Sequence, residues 1–68
     1  MPLDLDNIFQ YHAPKGTQQD RYVAIRAKAK ELAALIQDST PSSREQSVAL
    51  TNVQQAVMWA NAAIAINE

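Results

Sequence analysis

The residues best suited to binding chemistry are Ser42-Ser43-Arg44-Glu45, where a helix is predicted to begin. The first turn of a helix leaves backbone N–H groups without intrahelical partners, and these groups attract anions. Two hydroxyls and a guanidinium beside them would complete an anion site, and Ser47 lies one turn further along. The plainer interpretation is an ordinary capped helix start with a solvent-facing arginine.

A second group of candidates comes from basic residues, because four of the six fall within ten positions. Arg26 and Lys30 are four residues apart on one helical face, whereas Arg21 and Lys28 are seven apart on another. Glu31 is the one acidic residue in the middle of this segment. The pattern fits phosphate binding by part of this surface as well as a merely solvated face. It does not select among Arg26, Lys28 and Lys30.

The third candidate is the segment Tyr11-His12-Ala13-Pro14-Lys15. A tyrosine beside a histidine and a lysine, on a loop stiffened by proline, suits a nucleobase and its phosphate. A tyrosine packed against the helices is the common alternative. The chain has one histidine and no cysteine, so no metal site is predicted. No cofactor is expected either. No nucleophile–base pair is indicated, and the residues predict a binding protein, not an enzyme.

Two long helices must position these residues. We expect residues 1–16 to form a lead-in with a short helical segment, followed by a helix over 17–38, a turn at 39–42 and a helix over 43–67. Thr17 with Asp20, and Ser42 with Glu45, have capping-box spacing; Thr40 followed by Pro41 is an alternative start for the second long helix. Each helix carries an apolar stripe stepping by three and four residues: Tyr22, Ile25, Ala29, Leu32 and Ile36, then Leu50, Val53, Val57, Ala60 and Ile64. The prediction is a single all-α domain, an antiparallel hairpin.

The second long helix is apolar on more than one face, since Met58, Trp59 and Ile66 lie beside its main stripe. A chain of 68 residues cannot surround such a helix alone. Several large apolar side chains, each worth roughly 1.5–3 kcal/mol when fully buried, favour association. We therefore expect a helical homo-oligomer.

Composition excludes several classes of function. A formal net charge of −1 argues against coating of polymeric DNA or RNA. The apolar-rich run over 56–66 is too short for a membrane span. The opening MPLDLDN lacks the regions of a signal peptide, so an intracellular location without membrane contact is expected.

Two stretches together resemble a known family: YHAPKGTQQDRYVAIRAKAKELA and PSSREQSVALTNVQQAVMWANAAIA. They are similar to the short helical-hairpin domain of phage anti-CBASS proteins, which is related to the hairpin of phage anti-Thoeris sponges. The resemblance covers roughly residues 8–67. It implies a hexamer in the cytoplasm of the host bacterium that evades immunity by sequestering cyclic oligonucleotide messengers without cleaving them.

The resemblance also implies site residues. Cyclic dinucleotides with 3′,3′ linkages would stack on Tyr11 and meet cations of the first long helix. The full candidate set for this ligand is Tyr11, His12, Lys15, Arg26, Lys28 and Lys30. A cyclic trinucleotide such as cyclic triadenylate would bind at Ser43, Arg44 and Ser47. The alternative function is a structural or protein-interaction hairpin without a small-molecule ligand.

Overall fold

A computed structural model of the protein describes residues 4–68, so the start of the predicted lead-in, residues 1–3, lies outside the described residues. The chain forms α1 (Leu5–Ile8), α2 (Gln18–Ser39) and α3 (Arg44–Asn67). No strand occurs within residues 4–68. The prediction of an all-helical chain with a hairpin is confirmed, and the long helices begin and end within one residue of the expected positions.

The short helix α1 begins where Asp4 accepts a hydrogen bond from the backbone N–H of Asn7, at 3.2 Å. An aspartate at this position satisfies one of the unpaired donors of a first turn. After α1 the chain runs without regular structure to Gly16, whose φ of +58° lies in the left-handed region. Glycine adopts this region without steric cost, so the chain turns sharply into α2 there.

The predicted capping bonds of the two long helices do not form, although Thr17 does occupy the cap position of α2. Thr17 precedes α2 but makes no side-chain capping bond. The cap of α3 is Ser43, whose hydroxyl accepts from the backbone N–H of Gln46 at 3.1 Å. Ser42 does not cap α3, and Thr40 ends α2. Ser42 and Ser43 each carry a hydroxyl group suited to capping. Ser43 is the cap because its extended backbone (φ −167°, ψ 169°) directs its hydroxyl to the first turn of α3.

The apolar stripes of α2 and α3 face each other along the hairpin. All the stripe residues predicted for α3 are partly buried, and so are those of α2 except Leu32, which is 48% exposed. No hydrophobic residue among those described is fully buried. The hairpin is therefore a single layer of two helices whose outer faces remain open to solvent.

The dimensions of the chain agree with this open arrangement. Its radius of gyration is 15.0 Å, whereas a compact domain of this length would have about 11 Å. No helix within residues 4–68 has the length and hydropathy needed to cross a membrane.

Candidate functional site

A cavity of about 340 Å³ lies at the open end of the hairpin, opposite the α2–α3 turn. It is lined by the segment between α1 and α2, by the start of α2 and by the end of α3. The structure brings Tyr11, His12 and Lys15 together in this lining, as their closeness in sequence indicated. Arg26, Lys28 and Lys30 do not line it.

Tyr11 presents its ring to solvent, with 82% of the residue exposed. Its neighbour His12 is anchored, because its Nε2 lies 2.7 Å from the backbone oxygen of Asn7. A carbonyl only accepts, so this contact requires a proton on Nε2. Asn7 in turn donates from Nδ2 to the backbone oxygen of Ile66 at 3.0 Å, which ties α1 to the end of α3. The ring of Tyr11 is thus exposed beside an anchored residue.

A polar network closes the other side of the cavity. Gln18 accepts from the backbone N–H of Lys15 at 3.1 Å and donates from Nε2 to Oε1 of Glu68 at 3.4 Å. Arg21 holds the Glu68 carboxylate with both terminal nitrogens, at 2.8 and 2.6 Å. The fork of a guanidinium matches a carboxylate in this two-bond geometry. The loop, the first turn of α2 and the residue after α3 are therefore fixed together.

The network sets the ionisation of its two charged members. Hydrogen bonding from Arg21 lowers the pKa of Glu68 from 4.5 to about 2, against a smaller opposing effect of desolvation. The hydrogen bond with Glu68 correspondingly raises the pKa of the Arg21 guanidinium. Both groups are charged at neutral pH. Both side chains remain partly exposed, at 42% and 43%.

Sequence reasoning did not identify Gln18 or Glu68 as part of this site. It placed Arg21 among the basic residues of the first long helix but did not show that Arg21 pairs with Glu68. Glu68 is fifty positions from Gln18, and no local pattern relates the two. One local signal was available, since the turn at Gly16 must bring the first residue of α2 against the preceding loop.

Arg26 and Lys30 lie on the flank of the hairpin, where they line a shallow cavity of about 310 Å³ between α2 and α3. Arg26 also lines a neighbouring cavity of about 280 Å³ with Tyr22 and Asn61. The Oδ1 atom of Asn61 is buried without a hydrogen-bond partner among residues 4–68. A buried acceptor of this kind is costly unless something else donates to it.

Lys28 is directed to another face and pairs with Glu31 at 3.4 Å. It borders a largely apolar cavity of about 480 Å³ formed with Ile25 and Val53, among others. The structure thus separates Lys28 from Arg26 and Lys30. A solvent-exposed pair of this kind contributes little free energy, so Lys28 remains able to exchange its partner.

At the turn end of the hairpin, Arg44 is exposed at the first position of α3, and no ion pair with it is found among the described residues. The two neighbouring hydroxyls are occupied inside the chain. Ser43 donates to the backbone oxygen of Pro41 at 3.0 Å, and Ser47 donates to that of Ser43 at 3.2 Å. A cavity of about 420 Å³ adjoins this end, and its lining includes Ser43 but neither Arg44 nor Ser47.

The described residues contain no group of three histidine, cysteine or acidic side chains arranged to hold a metal ion. The molecule is thus a helical hairpin with a polar cavity at one end and an exposed arginine at the other. A family model, described as "Acb2/Tad1, hairpin domain", matches residues 1–65. The chain belongs to this family of anti-CBASS and anti-Thoeris sponges, which is a family of binding proteins and not a known enzyme family. No curated protein and no solved structure matches the chain.

Proposed function

We propose that this protein binds and sequesters cyclic oligonucleotide second messengers without cleaving them, and so blocks CBASS-type signalling in the cytoplasm of a phage-infected bacterium. The observation that carries the proposal is the family match over residues 1–65. The chemistry of the two ends of the hairpin supports it, since one end offers an exposed aromatic ring and the other an exposed guanidinium.

Tyr11 stacks on a base of a 3′,3′-cyclic dinucleotide in this proposal. Its ring is accessible on a cavity that also exposes a lysine, and a base stacked on an aromatic ring gains about 1–3 kcal/mol. His12 and Lys15 complete this part of the site. The anchored His12 limits the movement of the loop, and the ammonium group of Lys15 attracts phosphate.

Arg26 and Lys30 supply the phosphate contacts. They share one flank of α2, and neither has an acidic partner among the described residues. Lys28 is the weaker candidate because it faces another cavity and pairs with Glu31. Since Tyr11 and Arg26 line different cavities of one chain, we assign them to a site completed by two protomers. The unpartnered Oδ1 of Asn61 beside Arg26 fits a surface that a second molecule covers.

Assembly into a hexamer is part of the proposal. Trp59 is 73% exposed and Met58 62% exposed on α3. The solvent-accessible surface of 5594 Å² compares with roughly 4,200 Å² for a compact monomer of this mass. An exposed apolar surface of this kind is typical of a protein interface.

The second ligand site lies at the turn end, where Arg44 from several protomers would meet a cyclic trinucleotide such as cyclic triadenylate. Ser43 and Ser47 stand beside it. Their protons are directed to backbone oxygens, and the oxygen of Ser43 also accepts from the backbone N–H of Gln46, so neither hydroxyl donates to the ligand in this arrangement. The charge of Arg44 is thus the principal attraction for phosphate here.

Sequestration is stoichiometric, so the affinity must compete with that of the messenger's receptor. A Kd near 1 nM corresponds to about −12 kcal/mol. Several cations and aromatic rings contributed by more than one chain are the means by which so small a protein reaches that value.

The test is isothermal titration of the purified oligomer with 3′,3′-cyclic di-AMP, 3′,3′-cyclic di-GMP and cyclic triadenylate. We expect saturable tight binding and recovery of intact ligand after the protein is denatured. The stoichiometry counts the sites per chain, and light scattering of the same sample gives the number of subunits. Cleaved ligand, or no heat from a folded oligomer, would contradict the proposal.

A second candidate function is favoured by the exposed Trp59 and Met58, which would serve equally in a protein-interaction hairpin. In that case Tyr11→Ala and Arg44→Ala leave the activity unchanged, whereas Trp59→Ala abolishes it. The titration separates the two candidates, because an interaction hairpin gives no heat with any cyclic nucleotide.

A further inference from the structure

Gln18 is the most deeply buried residue among residues 4–68, with only 4% of its surface exposed, and it is polar. Burying an amide is unfavourable unless its donor and acceptor groups are both satisfied. No apolar residue among those described is buried, yet this polar residue is. The contacts of Gln18 therefore indicate a task other than filling space.

Those contacts link Glu68, which directly follows α3, to the loop before α2. Arg21 fixes the Glu68 carboxylate with two bonds, and Glu68 accepts from Nε2 of Gln18. An ionised carboxylate only accepts hydrogen bonds, so the amide nitrogen of Gln18 must face Glu68 and the amide oxygen must face away from it. That oxygen accepts from the backbone N–H of Lys15 at 3.1 Å. The backbone N–H of Gln18 returns a bond to the oxygen of Lys15, also at 3.1 Å.

We propose that Gln18, oriented by Glu68 and Arg21, is a positioning residue that fixes the segment Tyr11–Lys15 for ligand binding. The inference rests on the function proposed above and assigns no ligand contact to these three residues. The segment has no regular structure. Its anchors to the helices are the His12–Asn7 bond on one side and the Gln18–Lys15 pair on the other. Ordering a loop lowers its conformational entropy, which opposes binding. A loop that is already ordered before the ligand arrives avoids this loss during binding.

Removing the charge of Glu68 should change ligand affinity, and the direction of that change tests the proposal. Its carboxylate also lines the cavity that holds Tyr11, and a negative charge there repels an anionic ligand. If repulsion were its main effect, removing the charge would strengthen binding. If Glu68 orients Gln18, removing the charge loosens the loop and weakens binding. The two effects are opposite, so one substitution distinguishes them.

The experiment is a reciprocal exchange of the two side chains. Gln18→Glu places two carboxylates together, and Glu68→Gln leaves one acceptor oxygen for the three donors of Gln18 and Arg21, which weakens the hold on the Gln18 amide. The double variant keeps an acceptor facing the backbone N–H of Lys15 and moves the carboxylate to position 18, where it is three residues from Arg21 on the same helix and can pair with it there. Asp38→Asn makes the same charge change as Glu68→Gln at the far end of α2, and Gln19→Ala alters the exposed neighbour of Gln18. These two are the matched controls.

Two quantities are measured for each variant. Amide hydrogen exchange over residues 11–16 reports the order of the loop, and titration with 3′,3′-cyclic di-AMP reports affinity, each at a concentration that preserves the oligomer. We expect each single exchange to raise loop exchange and weaken binding about tenfold, and the double variant to return within about threefold of the parent. The controls should match the parent in both measurements.

Three results would overturn the proposal: tighter binding by Glu68→Gln, unchanged loop exchange in both single variants, or no recovery in a double variant that still folds. The exchange measurement does not require a ligand. If the parent protein binds no cyclic nucleotide, the proposed function fails, and loop exchange alone still decides whether Gln18 positions the segment.

Discussion

Each end of the hairpin is closed by a glutamine, but the two glutamines join very different parts of the chain. At the turn end, Gln46 donates to the backbone oxygens of Gln37 and Thr40 at 3.2 and 3.0 Å, across separations of nine and six residues. At the open end, Gln18 joins its neighbour Lys15 to Glu68, fifty residues away. The turn end can form locally, whereas the open end requires the whole hairpin to be in place.

The two ends also use their arginines differently. Arg21 is neutralised by Glu68 inside the chain, whereas Arg44 is exposed without an ion pair among the described residues. An arginine already bound to a carboxylate supports structure, and an arginine without a partner is available to phosphate. The comparison predicts that binding at the open end depends on an ordered aromatic loop and that binding at the turn end depends on charge.

The largest expected effect comes from a crossed pair of substitutions, one at each end. Tyr11→Ala removes a stacking surface and should weaken cyclic dinucleotide binding by about 1–3 kcal/mol, or roughly 5- to 150-fold. Arg44→Ala should leave that affinity unchanged and weaken cyclic triadenylate binding by a similar amount, since bonds to a charged group contribute about 1.5–3 kcal/mol. Isothermal titration of both variants with both ligands measures the four values.

Conservative variants serve as controls for this pair. Tyr11→Phe retains the ring and should retain dinucleotide binding, while Arg44→Lys keeps the charge but loses the planar fork. Equal losses for both ligands in both alanine variants, measured on folded protein, would remove the distinction between the two ends.

The glutamines themselves provide the next test. Gln18→Met leaves the backbone N–H of Lys15 without its acceptor in a partly buried position and should lower the free energy of unfolding by about 1–3 kcal/mol. Gln46→Met should cost less, about 1 kcal/mol, because the exposed oxygens it releases can bond to water. Urea denaturation at one fixed protein concentration measures both. A larger loss for Gln46→Met would reverse the proposed difference between the ends.

Helix starts offer a smaller contrast. Ser43→Ala removes a formed cap from α3 and should cost about 1 kcal/mol. Thr17→Ala removes a side chain that makes no capping bond at the start of α2, so the change should stay within about 0.5 kcal/mol. Thermal unfolding of the two variants against the parent measures the contrast. Similar losses at both positions would mean that the hydroxyl of Thr17 acts through a contact other than a cap.

Much of the fold was predictable because it depends on local periodicity. The three- and four-residue spacing of apolar residues places the facing stripes, and Pro41 with its serine neighbours marks the turn. The choice of Ser43 over Ser42 was not predictable, since both have the same hydroxyl and only the backbone conformation separates them. The 48% exposure of Leu32 was not predictable either, since spacing alone does not fix how far each helix is rotated against its partner.

The candidate site likewise has a part that was predictable from local sequence and a part that was not. Tyr11, His12 and Lys15 are neighbours in sequence, and they line one cavity. The bonds from Gln18 and Arg21 to Glu68 depend on contacts across 50 and 47 residues, and no pattern in a single sequence carries that information. Helical spacing placed Arg26 and Lys30 on one face of the helix and Lys28 on another. Only the packing of α3 shows which cavity each side chain borders.

The smallest expected effect is a pH dependence confined to the open end. The pKa of Glu68 is lowered from 4.5 to about 2 by its hydrogen bond with Arg21. A group whose pKa is lower in the folded chain contributes stability that is fully present above pH 4.5 and is lost as the pH falls through about 2. The loss should be modest, because both side chains of the pair are more than 40% exposed to water.

Urea denaturation at a series of pH values between 7 and 2 measures this contribution. The parent should lose stability more steeply than Glu68→Gln below about pH 5, because only the parent must protonate a carboxylate that Arg21 holds ionised. Ser43→Ala alters the turn end without removing a titratable group, so its curve should run parallel to that of the parent. A Glu68→Gln curve as steep as the parent's would mean that the acid sensitivity of the hairpin arises elsewhere. The ion pair would then orient Gln18 without contributing measurably to the stability of the fold.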